Sequence, residues 1–368
     1  MAEMKHTKYD LAQMQSLPLP VKIMRSKARI RDWYEHWDGN VAVSYSGGKD
    51  STALLHLVRS IYPDVKAVFS NTGLEYPEIQ KFARDQQNVD VVTPEKKFPE
   101  VLTTYGYPLI SKEVAQIIYY ARRLNGNRGF ERRKLIGLGE YETGRFCRKK
   151  WLPLATEIPV RISHYCCNYL KKSPIKKYQL KLHLKPIIGT LAQESLLREQ
   201  AWMKTGCNAF EGGSQHSTPM AFWTEQDVLK YIVINDLQIC SVYGDIVTED
   251  QDGFQYIATP MTCDTGELKC SGCQRTGCIF CGFGFHLDKG ETRFQRLART
   301  HPKQYEYAIK GGQWIDNPDY DPSAPKMDGE WKNWNPEKIW VPSEKGLGMG
   351  KVFDMVNEIY GKNIYRYK

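Results

Sequence analysis

The sequence has no apolar run long enough to cross a membrane. No stretch of the 368 residues approaches the roughly 18 consecutive apolar residues that a spanning helix needs. The first ten residues, MAEMKHTKYD, also lack the apolar core and small-residue cleavage site of a secretory signal. With 41% apolar and 25% charged residues, the composition is that of a folded globular protein rather than a disordered one. These absences predict a cytoplasmic protein with no membrane partner.

Acidic residues are fewer than basic ones, and cysteines are unevenly placed. The 42 Asp and Glu residues face 51 Lys and Arg, a formal net charge of +9. This excess suits a polyanionic partner such as a nucleotide or a nucleic acid, and a scattered basic surface is the alternative. Most of the ten cysteines fall in two compact groups. In a chain expected to stay in a reducing compartment, this grouping favours metal binding over disulfides.

The order of apolar segments predicts an α/β fold, with a parallel twisted sheet and helices on both faces. A strand at 41–45, a helix at 51–61 and a strand at 65–69 form a βαβ unit, whose ligands bind at the carboxyl ends of the strands. We predict four parts: a helical lead-in at 1–40, a nucleotide-binding domain at 41–245 with a basic insertion near 122–150, a cysteine-rich segment at 246–290, and a helical, aromatic-rich C-terminal extension at 291–368.

The loop between the first strand and its helix reads Ser46-Gly47-Gly48-Lys49-Asp50-Ser51. Two glycines let the backbone approach a phosphate, free N–H groups at the helix start point at it, and the hydroxyls of Ser46 and Ser51 add donors. Lys49 supplies a cation, and Asp50 caps the helix or holds magnesium. The spacing is not that of a Walker A loop. A chance helix-entry turn is the alternative, and the position between a buried strand and an amphipathic helix argues against it.

This hexapeptide resembles the SGGxDS signature of the PP-loop ATP pyrophosphatases, which adenylate a substrate and release pyrophosphate. The resemblance implies an adenine nucleotide α-hydrolase-like fold, cleavage between the α and β phosphates, and ATP and Mg²⁺ as ligands. It also implies catalytic roles for Lys49, Asp50 and Ser51, with Ser44, Ser46, Gly47 and Gly48 in the nucleotide site.

Three later segments resemble the sulfonucleotide (PAPS/APS) reductase family. Residues 71–78 are similar to its D-T-G-x-x-[FY]-P-E segment, 189–198 to G-x-R-x-x-[EQ]-S-x-x-R, and 219–231 to P-[LIM]-x-x-W-[ST]-x-x-D-[VI]-x-x-Y. The last segment is also explained by packing of Trp223 and Val228. The resemblance adds Thr72, Gly73, Glu194, Ser195 and Arg198 to the nucleotide site.

Two positions depart from the patterns of that family. Asn71 replaces an aspartate, and Leu191 stands where the first arginine of the second motif is expected. The phosphate site therefore lacks a cation on one side, which argues against simple transfer of the reductases' substrate to this chain.

The paired cysteines and the distant C-x-x-C units also resemble this family. The stretch CCNYLKKSPI is similar to the C-C-x-x-R-K-x-x-P-[LI] motif of cluster-bearing APS reductases, and RTGCIFCG is similar to S-I-G-C-x-P-C-T. The resemblance implies that Cys166, Cys167, Cys278 and Cys281 hold a [4Fe-4S] cluster. The alternative is a Zn²⁺ ribbon made from Cys270, Cys273, Cys278 and Cys281. Both sites cannot be complete together, because two cysteines belong to both.

The reductases attack sulfur with a mobile cysteine near the C-terminus, and this sequence has no cysteine after Cys281. We therefore favour an ATP pyrophosphatase-type adenylyl or sulfur transferase, with a nucleic-acid or small-molecule acceptor and a sulfur-donor protein as partners. One alternative is a reductase that uses Cys270 or Cys273. Another is a nucleic-acid-binding or regulatory protein without turnover. The oligomeric state stays open, with a homodimer as one option.

The basic insertion 122–150 and the tryptophans of the C-terminal extension suit a nucleic-acid partner. They supply cations for phosphates and flat rings for stacking on bases. The tryptophans are Trp314, Trp331, Trp334 and Trp340. The alternative is that these rings pack over the core.

Overall fold

Helices and strands alternate along much of the chain. The computed structural model describes residues 4–123, 129–144, 146–249 and 252–368. The α-helices are α1 Lys8–Ser16, α2 Leu19–His36, α3 Lys49–Arg59, α4 Pro77–Asp85, α5 Phe98–Thr104, α6 Lys112–Ala121, α7 Gly129–Ile136, α8 Leu152–Thr156, α9 Ser173–Lys181, α10 Leu196–Thr205, α11 Glu225–Ile234, α12 Arg293–Thr300, α13 Pro302–Ile309 and α14 Met349–Tyr360. The strands are β1 Val41–Tyr45, β2 Lys66–Ser70, β3 Val89–Val92, β4 Lys185–Ile188, β5 Asn208–Ala209, β6 His216–Ser217, β7 Ile246–Glu249, β8 Gln255–Ile257, β9 Lys269–Cys270, β10 Gln313–Asp316, β11 Met327–Asp328, β12 Trp331–Lys332 and β13 Lys338–Val341. Across the described ranges, none of the helices combines the length and the apolar character that a membrane crossing demands.

The chain divides into two compact units, each assembled from separate stretches of sequence. Unit 1 comprises Met1–Asn71, Glu75–Pro94 and Ser173–Gly277. Unit 2 comprises Thr72–Leu74, Glu95–Lys172 and Cys278–Lys368. The four consecutive parts expected from the sequence stay a prediction.

The central sheet of unit 1 has the strand order β3-β2-β1-β4-β6-β5. β1 pairs in parallel with β2 and β4, β2 with β3 and β4 with β6, whereas β5 pairs antiparallel with β6. The predicted α/β fold with a mostly parallel sheet flanked by helices is confirmed. The strand order reverses between β1 and β4, and ligands of such sheets bind in the crevice at this switch point.

The first βαβ unit follows from its apolar pattern. Four of the five residues of β1 are buried, which is typical of a parallel strand covered on both faces. α3 buries Leu54, Leu57 and Val58 against the sheet side of the unit. The helix begins at Lys49, directly after the two glycines, so its free N–H groups open toward the switch point.

The core of unit 2 is aromatic. Phe285, Phe294, Phe353 and Tyr365 are buried together, with ring centroids 4.7–5.3 Å apart between Phe285 and the other three. The Tyr365 hydroxyl also accepts a hydrogen bond from the Ile110 backbone N–H at 2.8 Å. The C-terminal extension therefore supplies part of the unit's core.

Most of the C-terminal tryptophans are part of this packing. Trp331 is buried, and the indole N–H groups of Trp334 and Trp340 donate to backbone carbonyls at 2.7 and 3.0 Å. Trp314 is 46% exposed. Packing over the core thus accounts for three of the four rings.

The first residue of the predicted basic insertion, Arg122, is buried. Its guanidinium donates to the carbonyls of Ala155, Val160, Leu154 and Ile158 at 2.6–3.3 Å. Composition does not distinguish such an arginine from a solvated one. Further along, α7 and two short 3₁₀ turns bury Leu135, Tyr141 and Trp151. Residues 124–128 and 145 of the predicted insertion lie outside the described residues.

Candidate functional site

The loop after β1 is held in shape by two serine hydroxyls. Ser51 Oγ donates to the Gly48 carbonyl at 2.9 Å and accepts from the Ser46 N–H at 3.2 Å. The two hydroxyl oxygens, of Ser46 and Ser51, lie 3.0 Å apart within hydrogen-bonding distance. Ser46 is exposed whereas Ser51 is buried. Ser51 therefore fixes the loop, and Ser46 faces outward from it.

The two glycines meet different constraints. Gly47 has φ +70°, the left-handed region that disfavours side chains, and a Cβ there would lie 3.0 Å from Ile79 Cγ2. Gly48 has φ −80°, which any residue adopts. A Cβ on Gly48 would lie 3.2 Å from both Ser46 Oγ and Tyr243 Oη. It would fill the cradle that the loop forms.

A small cavity of ≈ 100 Å³ opens over this cradle. It is lined by the loop residues Ser46, Gly48, Lys49 and Asp50, together with Leu191, Glu194, Glu225, Tyr243, Arg275 and Thr276. Pockets that enclose a whole small-molecule ligand have about 300–1,000 Å³. This cavity has the size and the polar lining for a phosphate group, with the remainder of a nucleotide outside it.

Tyr243 and Thr276 are site residues that the sequence did not reveal. The Tyr243 hydroxyl accepts from the Lys49 N–H at 3.3 Å and lies 2.5 Å from Thr276 Oγ1. Burial raises the pKa of Tyr243 to about 12, so the phenol stays neutral at physiological pH. It can therefore donate a hydrogen bond to a phosphate oxygen without adding negative charge.

Lys49 is buried, and its ammonium has two contacts within unit 1. Its ammonium lies 2.9 Å from Glu225 Oε1 and donates to the Gln274 carbonyl at 2.9 Å. The predicted cation is thus present at the cradle, where Glu225 partly neutralises it. Burial raises the pKa of the neighbouring Asp50 carboxyl, and the Lys49 charge acts in the opposite direction.

The second motif contributes one side of the cavity. Leu191 and Glu194 line it, and Glu194 forms an ion pair with Arg198. Ser195 caps α10 by accepting from the Arg198 N–H at 3.4 Å. Arg275 lines the same cavity as Leu191. A guanidinium from a distant segment therefore lines the cavity to which position 191 contributes a leucine.

The remaining predicted nucleotide residues lie elsewhere in the two units. Ser44 is half-buried on β1, where its hydroxyl accepts from Gln179 Nε2 at 3.5 Å. Thr72 and Gly73 belong to unit 2, and Thr72 Oγ1 accepts from the Leu74 N–H at 3.1 Å. Their role in nucleotide binding stays a prediction.

Trp223 and Val228 are packing residues. Both are fully buried, and the Trp223 indole donates to Ser26 Oγ at 2.9 Å. The packing explanation of their motif is confirmed.

The four cysteines of the predicted cluster all belong to unit 2. None of Cys166, Cys167, Cys278 and Cys281 is in a disulfide. The hydrogen bond with Cys167 and burial raise the pKa of Cys166, and the charges of the other three thiols act in the same direction. The pKa of Cys167 is lowered, because the Cys166 thiol donates to it and the Lys112 ammonium lies nearby. Within the described ranges, no group of three or more His, Cys, Asp or Glu side chains is arranged around one metal-ion position.

Cys270 and Cys273 belong to unit 1 and are both buried. Burial raises the pKa of Cys270 to about 11. The residue after Cys273 is Gln274, whose carbonyl binds Lys49. This C-x-x-C segment therefore lies beside the phosphate cradle.

A mostly parallel sheet with a hydroxyl-lined loop at its switch point is typical of nucleotide-binding α/β proteins. Residues 40–282 match the phosphoadenosine phosphosulfate reductase domain, and the chain belongs to that family. Members of this family are enzymes. The two sequence resemblances that pointed to this class and this family are confirmed.

Individual relatives are distant. An uncharacterized protein of Methanocaldococcus jannaschii is 22% identical over 300 residues, which cover 79% of this chain and 51% of the relative. The chain thus spans about half the length of that curated relative.

Solved structures with a similar arrangement are also distant. The phosphoadenylyl-sulfate (PAPS) reductase of Candida auris, in a phosphate complex, has a TM-score of 0.34 at 13% identity, covering 64% of this chain and 90% of that one. The FMN adenylyltransferase of Candida glabrata has a TM-score of 0.35 at 10% identity, covering 67% and 74%. The U34-tRNA thiolase NcsA of Methanococcus maripaludis, with its [4Fe-4S] cluster, has a TM-score of 0.31 at 15% identity, covering 60% and 65%. TM-scores this low transfer no ligand, cluster or reaction to this chain.

Proposed function

We propose that the protein is an adenylyl or sulfur transferase that binds ATP and Mg²⁺ at the loop after β1 and cleaves between the α and β phosphates. The observation that best supports this proposal is the cradle that the loop forms at Gly48. Its cavity is phosphate-sized and lies at the switch point of the sheet, and a methyl group added at Gly48 would enter it 3.2 Å from Ser46 Oγ and Tyr243 Oη. A loop with this shape is suited to an anion that must approach the backbone closely.

In the proposed step, an oxygen of the acceptor attacks the α phosphorus. The bond from that phosphorus to the α–β bridging oxygen breaks, pyrophosphate leaves with the electron pair, and the acceptor carries the adenylyl group. The N–H groups at the start of α3, the Ser46 hydroxyl and the neutral Tyr243 phenol are oriented to stabilise the developing charge. Phosphoryl and adenylyl transfers gain most from such preoriented donors.

Cations complete the proposed step. Arg275 supplies positive charge from the cavity lining, and Lys49 supplies it from the loop. The Asp50 carboxylate in the cavity lining fits Mg²⁺, which prefers oxygen ligands and is commonly shared with substrate phosphates. When bound, Mg²⁺ would neutralise charge on the phosphates.

The proposed cluster would be held by four thiols of unit 2. A [4Fe-4S] cluster needs four thiolates, and the charges of Cys167, Cys278 and Cys281 act on Cys166 within this unit, whereas the described side chains do not converge on one metal position. When bound, a cluster would supply a redox-active or sulfur-binding metal centre. Iron, sulfide and zinc analysis of protein purified without oxygen distinguishes this assignment from a zinc ribbon that includes Cys270 and Cys273.

The nucleotide assignment is tested with α-labelled ATP and Mg²⁺ under anaerobic conditions. We expect ATP binding, and AMP with pyrophosphate when an acceptor is supplied. Ser51→Ala should weaken ATP binding by roughly tenfold or more, because it removes the hydroxyl whose hydrogen bonds to Ser46 and Gly48 fix the loop. Ser60→Ala, at the other end of the same helix, is the matched control. Equal ATP binding by all three proteins, with no AMP from any acceptor tried, would rule the proposal out.

A second candidate is reduction of an adenylated sulfate, because the C-x-x-C segment adjoins the cradle through Gln274. Here a Cys270 or Cys273 thiolate would attack sulfur and release the adenosine phosphate. The second thiol would then displace sulfite and leave a disulfide, which an external dithiol must reduce. Sulfite release that is lost in Cys270→Ser and Cys273→Ser, and retained in Cys207→Ser, would favour this reaction over adenylyl transfer.

A further inference from the structure

Unit 2 contains a second cavity, of ≈ 450 Å³, that the proposed reaction does not use. Its size falls in the range of about 300–1,000 Å³ that is typical of small-ligand pockets. Aromatic and guanidinium groups dominate its lining, among them Tyr105, Tyr119, Trp334 and Arg123. It is large enough for one base with its sugar, and too small for a folded macromolecule.

Two arginines stack on rings in this cavity. The Arg122 guanidinium lies 4.3 Å from the centroid of the Trp334 ring, and that of Arg123 lies 4.4 Å from the Tyr119 ring. Arg122 is committed to backbone carbonyls. Arg123 is exposed and donates to the Tyr119 hydroxyl. Among the described residues no carboxylate forms an ion pair with Arg123, so its remaining donors are available to an anion.

A polar edge completes the cavity. Arg161 forms an ion pair with Asp319 at 2.5 Å and donates to the buried Asn317 amide oxygen at 3.4 Å. The same amide donates to the Pro336 carbonyl, which fixes its orientation. This edge presents donors and acceptors side by side. Such a mixed edge matches the rim of a nucleobase, which also carries both.

We propose that this cavity binds a nucleobase together with its phosphate. Stacked rings recognise the face of the base, the Arg161–Asp319 edge recognises its rim, and Arg123 contacts the phosphate. A purely apolar ligand would make no polar contact with the guanidinium of Arg123 or the carboxylate of Asp319. An anion without a ring would not stack on the aromatic side chains of the cavity wall. The two sources of this chemistry are a free mononucleotide and one unit of a single-stranded nucleic acid.

The wall of this cavity continues from Tyr105 to Tyr169, which follows the paired cysteines in the sequence. Tyr105 donates to the Tyr169 hydroxyl at 2.6 Å, and their rings stack with centroids 4.5 Å apart. Tyr169 lies in a short π-helix, Asn168–Lys172, that directly follows Cys166 and Cys167. A base held in the cavity would therefore lie against a tyrosine pair, one member of which is two residues from Cys167 in the sequence. Binding itself does not depend on the proposed adenylyl or sulfur transfer.

The test measures binding of a fluorescein-labelled single-stranded hexamer of uridylate RNA to the full chain, by anisotropy at several salt concentrations. Tyr119→Leu should weaken binding about tenfold, since it removes one stacking ring. Arg123→Gln should weaken binding and lower the slope of log K against log salt by roughly 0.7, one phosphate contact on a single strand. Trp314→Leu removes an exposed ring outside the cavity and should bind like the wild type. Thermal unfolding of each variant checks its fold.

Unlabelled UMP separates the two sources. If UMP displaces the hexamer, free nucleotides are ligands of the cavity; if the hexamer binds and UMP does not displace it, the cavity takes a base within a strand. Both results support the proposal. It is overturned if the wild type binds neither probe at low salt, or if folded Arg123→Gln binds the hexamer as tightly as Trp314→Leu with an unchanged salt slope.

Discussion

The residues of the loop after β1 differ in backbone angle, in the space around them and in charge, and single substitutions separate these three properties. Gly47 needs its positive φ, whereas Gly48 needs only the empty space in front of it. Asp50 lies at the same cradle with a raised pKa. Changes at Gly48 and Asp50 should therefore affect ligand binding and stability in different directions.

Gly48→Ala should lower ATP affinity about tenfold or more while leaving the unfolding temperature nearly unchanged. The added methyl group would stand 3.2 Å from Ser46 Oγ and Tyr243 Oη, in the place proposed for a phosphate oxygen, and the backbone angle suits alanine. Calorimetric titration with ATP and thermal unfolding measure the two effects. Gly213→Ala, where a methyl group meets nothing within 4 Å, is the control. Unchanged ATP affinity in Gly48→Ala would contradict the cradle.

Asp50→Asn should stabilise the ligand-free protein at neutral pH and abolish turnover. Because burial raises the pKa of Asp50 in the folded state, the folded protein holds this proton more tightly than the unfolded chain. The resulting stabilisation is complete below the unfolded pKa of about 3.9 and is lost as pH rises through the folded pKa. The asparagine variant should thus match the wild type near pH 3 and exceed it at pH 7.

Urea unfolding at a series of pH values, without Mg²⁺ or nucleotide, measures this difference. Added Mg²⁺ and ATP should stabilise the wild type more than Asp50→Asn. A variant that is less stable than the wild type at every pH would contradict the buried-carboxylate explanation.

At the scale of elements, Arg122 connects the end of α6 to α8 and the segment after it. Its guanidinium satisfies carbonyls of Leu154, Ala155, Ile158 and Val160 in a buried setting. Burial lowers its pKa, and the four acceptors supply the hydrogen bonds that water would otherwise provide. This arrangement makes Arg122 a structural brace.

Arg122→Met should reduce the free energy of unfolding by about 3 kcal/mol or more, because several buried carbonyls lose a charged donor. Arg123→Gln, the exposed neighbour, should change it by no more than about 0.5 kcal/mol. Chemical denaturation monitored by tryptophan fluorescence compares the two. A small effect of Arg122→Met would mean that water replaces the guanidinium and that the brace is unimportant.

The sequence predicted the elements well where periodicity is local. The strand expected at 41–45 matches β1, and the strand expected at 65–69 lies one residue later as β2. The helix expected at 51–61 begins and ends two residues earlier as α3. The sequence did not predict Tyr243 or Thr276, which reach the loop from about 200 residues away along the chain and carry no local pattern. For the same reason, it did not predict Arg275 as a cavity residue. Side-chain surroundings, rather than residue type, decide such roles.

At the scale of the whole molecule, the residues that match the family model end at a different position from the compact units. The match stops at residue 282, whereas unit 2 extends from Cys278 to Lys368 in its last stretch. Two buried contacts join the earlier and later parts of this unit. Tyr107 Oη donates to the Leu347 carbonyl at 2.7 Å, and the Ile110 N–H donates to Tyr365 Oη at 2.8 Å.

A chain truncated after residue 282 should therefore keep the sequence of the family match and lose the fold of unit 2. We expect rapid proteolysis within 95–172, because Tyr107 and Ile110 lose their partners and the aromatic core is removed. Tyr365→Phe is the milder comparison, since it removes one buried acceptor and should cost about 1–3 kcal/mol. Protection of 95–172 in the truncated chain would show that the C-terminal stretch is dispensable.

The alternation of the two units along the chain has a consequence for synthesis on the ribosome. Unit 1 has all its residues once Gly277 has emerged, so it can finish folding while translation continues. Unit 2 must wait for Tyr365, although its first cysteine pair was made about 200 residues earlier. Cys166 and Cys167 therefore spend much of translation without the packing that surrounds them in the finished protein. Loading of any metal at these thiols is expected to follow release of the chain.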